Sequence, residues 1–170
     1  TYSAGGTLTG KAATIVADDA TLRVAEVDAE LKVRDGGTLA IRHLIVRGSG
    51  VGYLEPISCE NASVEASGLD VIGQSLKGED CRWMKVSNSR FEDGGITFYA
   101  PAFQDATLAV DRSQFFGKGI HVSGGPFVAN ITNSLTVAAP GQVAIATRRL
   151  LNGRPNVRSR IAFNTVIGGK

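Results

Sequence analysis

Five arginines crowd one stretch of this chain: Arg148, Arg149, Arg154, Arg158 and Arg160 lie within 13 residues. Guanidinium groups hold carboxylates and other oxyanions through charge-assisted, often paired hydrogen bonds. The cluster therefore suits an acidic glycan. A second stretch, Phe98-Tyr99-Ala100-Pro101-Ala102-Phe103, reads as an aromatic-rich loop. Large flat rings with a polar tip can serve as a platform for sugars. The candidate glycan-binding residues are Arg148, Arg149, Arg154 and Arg158 from the first stretch, with Tyr99 and Phe103 from the second. The plainer reading is a solvated basic loop and rings that cover a flank.

Catalytic groups are harder to assemble. Glycoside hydrolysis needs two carboxyl groups about 5–10 Å apart on one face. The acids Asp70, Glu92, Asp93, Asp105 and Asp111 do not show a spacing that converges them, so no catalytic residue is assigned. His121, in Gly119-Ile120-His121-Val122-Ser123-Gly124, reads as an outward strand residue. Neither His43 nor His121 lies near a cysteine in the sequence, and no nucleophile elbow, phosphate loop or metal-ligand spacing is present. No metal or other cofactor is expected.

A phrase recurs along the chain that carries these residues. It reads Ile41-Arg42-His43-Leu44-Ile45-Val46, then Ala66-Ser67-Gly68-Leu69-Asp70-Val71, Val86-Ser87-Asn88-Ser89-Arg90-Phe91 and Val110-Asp111-Arg112-Ser113-Gln114-Phe115. It returns as Ile131-Thr132-Asn133-Ser134-Leu135-Thr136 and Ala162-Phe163-Asn164-Thr165-Val166-Ile167. The third positions are 43, 68, 88, 112, 133 and 164, giving steps of 25, 20, 24, 21 and 31. Such a period marks a solenoid in which each repeat is one rung. The longest step places an elongated loop at Thr147–Arg160. Before the first phrase, Thr7–Thr9, Ala13–Val16, Leu22–Val24 and Leu31–Val33 alternate with period two, the mark of half-buried strands. Asp18-Asp19 and Asp35-Gly36-Gly37 read as turns.

In-register stacking predicts columns. Leu69, Val71, Phe91, Phe115 and Ile131 should face inward. Asp70, Arg90 and Gln114 should form one outward column, and Arg47, Ile72, Glu92 and Phe116 another. Asp70 beside Arg90 reads as an exposed pair. Cys59 and Cys81 are 22 residues apart, about one period, so they fall on neighbouring rungs. Rungs lie about 4.8 Å apart, within the Cα range of about 4.4–6.8 Å that a disulfide accepts. A Cys59–Cys81 disulfide is expected, and with it an oxidising compartment.

The period and the Asn-bearing bend resemble the right-handed parallel β-helix (pectate-lyase-like) superfamily. The resemblance covers nearly the whole chain, most firmly residues 38–169. It implies an all-β, right-handed parallel β-helix of about six or seven coils, with Asn favoured at a left-handed bend. Enzymes of that superfamily cleave polysaccharides, and calcium would enter only under such a reading. Its Arg-x-Pro-x-x-Arg motif is nearly matched by Gly153-Arg154-Pro155-Asn156-Val157-Arg158. Trp83-Met84-Lys85-Val86 does not match its Trp-Ile-Asp-His signature.

Net charge is +2, which gives no bulk drive toward nucleic acid. No stretch approaches the roughly 20 apolar residues of a membrane span, so membrane insertion is not expected. The chain reads as one domain, residues 1–170, and as a piece of a longer secreted or cell-surface protein. The first functional expectation is a non-catalytic scaffold or adhesion and recognition surface that takes a polysaccharide or cell-surface glycan. The alternative is a polysaccharide lyase or glycoside hydrolase. Uncapped coils would expose strand edges, so end-to-end association is also expected.

Overall fold

The computed structural model describes residues 6–11, 14–18, 21–24, 29–48, 57–102, 104–149 and 157–168. Among them the regular structure is entirely β, and every strand pairing is parallel. The described residues wind through seven coils, each built from three strands. The first holds β1 (Gly6–Lys11), β2 (Thr14–Asp18) and β3 (Thr21–Val24). The second holds β4 (Ala29–Arg34), β5 (Thr38–Arg42) and β6 (Ile45–Gly48). The third holds β7 (Ile57–Glu60), β8 (Ser63–Ser67) and β9 (Asp70–Ile72).

The fourth coil contains β10 (Leu76–Glu79), β11 (Trp83–Ser87) and the start of β12 (Arg90–Ala100). The end of β12, then β13 (Ala106–Asp111) and the start of β14 (Gln114–Gly124), form the fifth. The sixth continues through the end of β14, β15 (Phe127–Thr132) and β16 (Leu135–Ala138). The seventh is β17 (Ile145–Arg149), β18 (Val157–Ala162) and β19 (Thr165–Ile167). The coils stack into three parallel ladders, the faces of a prism. The middle strand of each coil forms a seven-stranded sheet. The other two ladders join through β12 and β14, which run across the corner between them.

Alternation builds the core. In β13 and β15 the buried positions are Ala106, Leu108, Val110 and Phe127, Ala129, Ile131. Stacking then turns each buried position into a column. Leu39, Val64, Met84, Leu108 and Ala129 align from rung to rung. The expected inward residues Leu69, Val71, Phe91, Phe115 and Ile131 are all buried. Phe91 and Phe115 stack with centroids 4.9 Å apart and planes 7° from parallel.

Both expected outward columns are present in the register: Asp70, Arg90, Gln114, and Arg47, Ile72, Glu92, Phe116. The Arg90 guanidinium bonds Glu92 of its own strand at 2.9 Å and lies 5.4 Å from the Phe116 ring centroid.

At the bend after each middle strand from β5 to β18, one residue adopts a left-handed backbone: His43, Gly68, Asn88, Arg112, Asn133 and Phe163, with φ between 47° and 70°. The last of these corrects the sequence alignment. Ile161 stacks on Ile131 and Ala162 on Thr132, so Phe163, not Asn164, occupies the bend. Asn164 belongs to the next column, which carries the polar ladder of this corner. The Leu69 N–H donates to Ser89 Oγ at 3.1 Å, Ser89 N–H to Ser113 Oγ at 3.3 Å and Ser113 N–H to Ser134 Oγ at 3.2 Å. Ser134 N–H then donates to Asn164 Oδ1 at 2.8 Å. Each serine hydroxyl in turn donates to the carbonyl two residues before it. Coils three to seven are thereby tied through polar groups that are fully used.

Removing one member leaves a buried N–H without its acceptor. Ser113→Ala is expected to cost about 1–3 kcal/mol, read as a lower denaturation midpoint with an unchanged slope. A loss too small to measure would contradict the ladder.

Outside the bend, Asp111 adds an exposed tie. Its carboxylate accepts from Asn133 Nδ2 and Thr132 Oγ1, both at 2.8 Å, and from Arg112 Nε at 2.8 Å. The bonds from Asn133 and Thr132, helped by the Arg112 charge, hold its pKa below the ordinary carboxylate value.

Cys59 and Cys81 form a disulfide, with Cα atoms 5.9 Å apart. Their coils are neighbours, but Cys59 on β7 pairs in register with Gly78 rather than with Cys81. Between Glu79 and Trp83 the fourth coil carries one residue more than the third does between Glu60 and Ser63. Cys81 lies in that enlarged corner, and both cysteines are buried. Gly78 makes room there: a Cβ on it would stand 2.9 Å from Met84 Cε and 3.2 Å from Cys81 Sγ.

Candidate functional site

Of the three prism faces, the one carrying β10, the end of β12, the end of β14 and β17 brings together two of the sequence candidates, Tyr99 and Arg148. Tyr99 pairs with Ser123, and Ser123 with Arg148. Tyr99 and Arg148 therefore stand in one outward column two rungs apart, about 9.6 Å along the axis. The neighbouring outward column holds Lys77, Thr97, His121 and Ala146. The Tyr99 and His121 rings are 6.3 Å apart at 57°.

Strand alternation explains this display. Phe98 points into the core and is fully buried, so its neighbours Thr97 and Tyr99 must point out. The stretch Phe98–Ala100 is consequently the end of a strand, not the loop expected from its aromatic content. Tyr99 is 39% exposed.

Beside these columns runs a groove of about 280 Å³, lined among others by Thr97, Lys118, His121, Gln142 and Val143. Its floor is a stack of bare backbone. A Cβ on Gly95 would collide with the Gly119 carbonyl, and one on Gly119 with the Ala144 carbonyl. Glycine at both corners lets successive coils close up there and leaves the groove open. The run Gln142-Val143-Ala144, which resembles a strand in the sequence, is the turn leading into β17.

Charge is unevenly distributed along this face. Toward the first coils the cations are paired: Lys32 Nζ lies 3.0 Å from Glu60 and Lys77 Nζ 3.4 Å from Glu79. Toward the last coils, Lys118 and Arg148 face solvent with no carboxylate within ion-pair distance among the described residues. A ring beside uncompensated cations is an arrangement that binds a sugar carrying negative charge.

The arginine cluster does not gather as a unit. Arg148 joins the Tyr99 column, whereas Arg158 and Arg160 lie on β18 in register with Val128 and Asn130, on the seven-stranded face. Of the stretch 147–160 expected to be an elongated loop, Thr147–Arg149 belong to β17 and Val157–Arg160 to β18, while residues 150–156 lie outside the described residues. Arg149 ends β17. Its side chain, Arg154 and Phe103 lie outside the described residues.

The acids are scattered. Asp70 and Glu92 occupy different outward columns of a second face, and Asp93 sits at a corner. Asp105 precedes β13, and Asp111 closes it. Sequence reasoning missed Thr97, Lys118 and Gln142 and treated His121 as an ordinary strand residue. The steps of 24 from Gly95 to Gly119 and from Thr97 to His121 were the available signal.

Comparison with family models, curated proteins and solved structures finds no match.

Proposed function

We propose that this chain is a rigid, non-catalytic segment of a secreted or cell-surface protein, and that its Tyr99–Arg148 face recognises a glycan bearing carboxylate or sulfate groups. The observation that carries this reading is the shared column of Tyr99 and Arg148, with the groove of Lys118 and His121 beside it. A solenoid suits the task because its rungs repeat at about 4.8 Å, so two rungs approach the length of a disaccharide. An extended saccharide lying along the axis meets Tyr99 and Arg148 on sugar residues two apart. The ring supplies apolar contact and the guanidinium a directional clamp on an anion. The buried disulfide supports an extracytoplasmic location. Membership of the pectate-lyase-like superfamily is part of the same proposal, supported by the three-strand coil and its left-handed bend.

Separate Tyr99→Ala and Arg148→Ala substitutions are each expected to weaken binding of oligouronates about tenfold, the equivalent of about 1.4 kcal/mol. Arg158→Ala, on another face, should leave affinity unchanged. Isothermal titration of the four proteins decides it. Equal losses for Arg148→Ala and Arg158→Ala would remove this face as the site.

A further inference from the structure

We infer that His121 makes anion capture on this face proton-dependent, so that the glycan binds more tightly as the pH falls from about 8 to about 5. The inference rests on the anionic-glycan reading of the Tyr99–Arg148 face and adds the regulation of that site.

The register sets three rungs in order: Tyr99 on the first, Ser123 on the second and Arg148 on the third. Ser123 is small and buried, so the column itself offers no charge to the middle of a bound saccharide. His121 lies two residues earlier on the same strand, in the adjoining outward column, and lines the groove. Its ring is half-buried and stands 6.3 Å from that of Tyr99. A rung rises about 4.8 Å, near the length of one sugar. A saccharide stacked on Tyr99 and clamped by Arg148 therefore carries its middle sugar past the imidazole.

That imidazole is uncommitted within the fold. It makes no hydrogen bond and no ion pair with any described residue. On β12 the phenol of Tyr99 faces it, while Asp93 lies at the corner against Gly117. On its own strand Lys118 stands three residues before it, and on β17 Arg148 lies diagonally across. β16 carries no titratable group. Two rungs away in the column of His121 is Lys77 of β10, whose Nζ lies 3.4 Å from Glu79. The near charges are thus the cations Lys118 and Arg148. Of these side-chain types, imidazole alone ordinarily changes charge between about pH 5 and about pH 8. Once protonated, both ring nitrogens donate hydrogen bonds; in the neutral ring one of them is an acceptor, which an oxyanion avoids. A bound anion favours the protonated ring, so binding takes up a proton and tightens as the pH falls. The face holds two cations at the upper end of this range and three at the lower.

Isothermal titration of the 170-residue chain with an oligouronate and with a sulfated oligosaccharide tests the inference, because both probes stay ionised over the whole range. The native chain is expected to bind roughly two- to fivefold more tightly at about pH 5 than at about pH 8, the size of an exposed ion pair. It should also take up protons on binding, seen as a heat that depends on the buffer. His121→Gln should bind with one affinity at both pH values and without proton uptake. His121→Lys, charged throughout, should likewise be flat in pH, but tighter than His121→Gln. Equal affinity of the native chain at the two pH values, or a slope that survives in His121→Gln, overturns the inference and leaves the glycan reading in place. Absence of binding to either probe at either pH overturns both.

Discussion

Phe115→Ala lowers the unfolding free energy by about 3–5 kcal/mol, the range for emptying a buried aromatic site. The ring is fully buried and stacks on Phe91 of the coil before it. The next residue of the column is Thr136, also buried and too small to fill the vacated space. In a solenoid each coil is held only by its neighbours, so the cavity weakens the contact between coils four and five and that between coils five and six together. Guanidinium denaturation followed by circular dichroism measures the loss. A cost below about 1 kcal/mol, the level of a surface change, would mean that the column is not the main support of the middle coils.

Replacing both Cys59 and Cys81 with Ala is expected to cost about 3 kcal/mol. The bond closes a 22-residue separation, and in the chain-entropy account a loop of that size is worth about this much. Substituting both residues avoids leaving a lone buried thiol. The same burial predicts a kinetic result. Reductant and alkylating reagent should reach the sulfurs only when coils three and four open, so the rate of alkylation under reducing conditions should follow the unfolding rate. Rapid alkylation of the folded chain would contradict the burial of both sulfurs, and a double variant as stable as the native chain would show that the bond adds nothing to those coils.

How far the fold was legible follows from what repeats. A coil that stacks on itself prints its inward residues at near-constant spacing, so Val71, Phe91 and Phe115 announce their column in the sequence. The cysteine spacing is legible for the same reason. The enlarged corner that brings Cys81 back toward Cys59 is not, because one extra residue leaves no mark on the pattern of apolar positions.

Asn164 misled by its chemistry. Matching Asn to Asn aligned it with Asn133, but register is set by the inward residue, and Ile161 stacks on Ile131. The serines at 89, 113 and 134 had already marked the column in which a side-chain acceptor is wanted, and Asn164 continues it. Here packing overrides the usual preference of Asn for a left-handed bend, and Phe163 is placed there instead.

The site was legible in its parts and not in its assembly. Tyr99 and Arg148 stood out as residue types, yet their shared column depends on β12 and β14 continuing through the Gly94-Gly95 and Gly117-Lys118-Gly119 corners. Glycine inside a strand ordinarily weakens it, and the aromatic run beyond Gly95 reads as a loop in the sequence. In the fold these glycines permit close backbone stacking and let the strand run on. The arginines looked like one patch because they are close in sequence. In the fold Arg148 belongs to one face and Arg158 and Arg160 to another.

The most direct test of the central claim is a glycan array probed with the intact 170-residue chain over a series of salt concentrations. Retention on uronate- or sulfate-bearing oligosaccharides, absent on their neutral counterparts and weakening as salt rises, is the predicted result. Equal retention on charged and neutral sugars, or none on either, would contradict an anionic-glycan site at Tyr99 and Arg148.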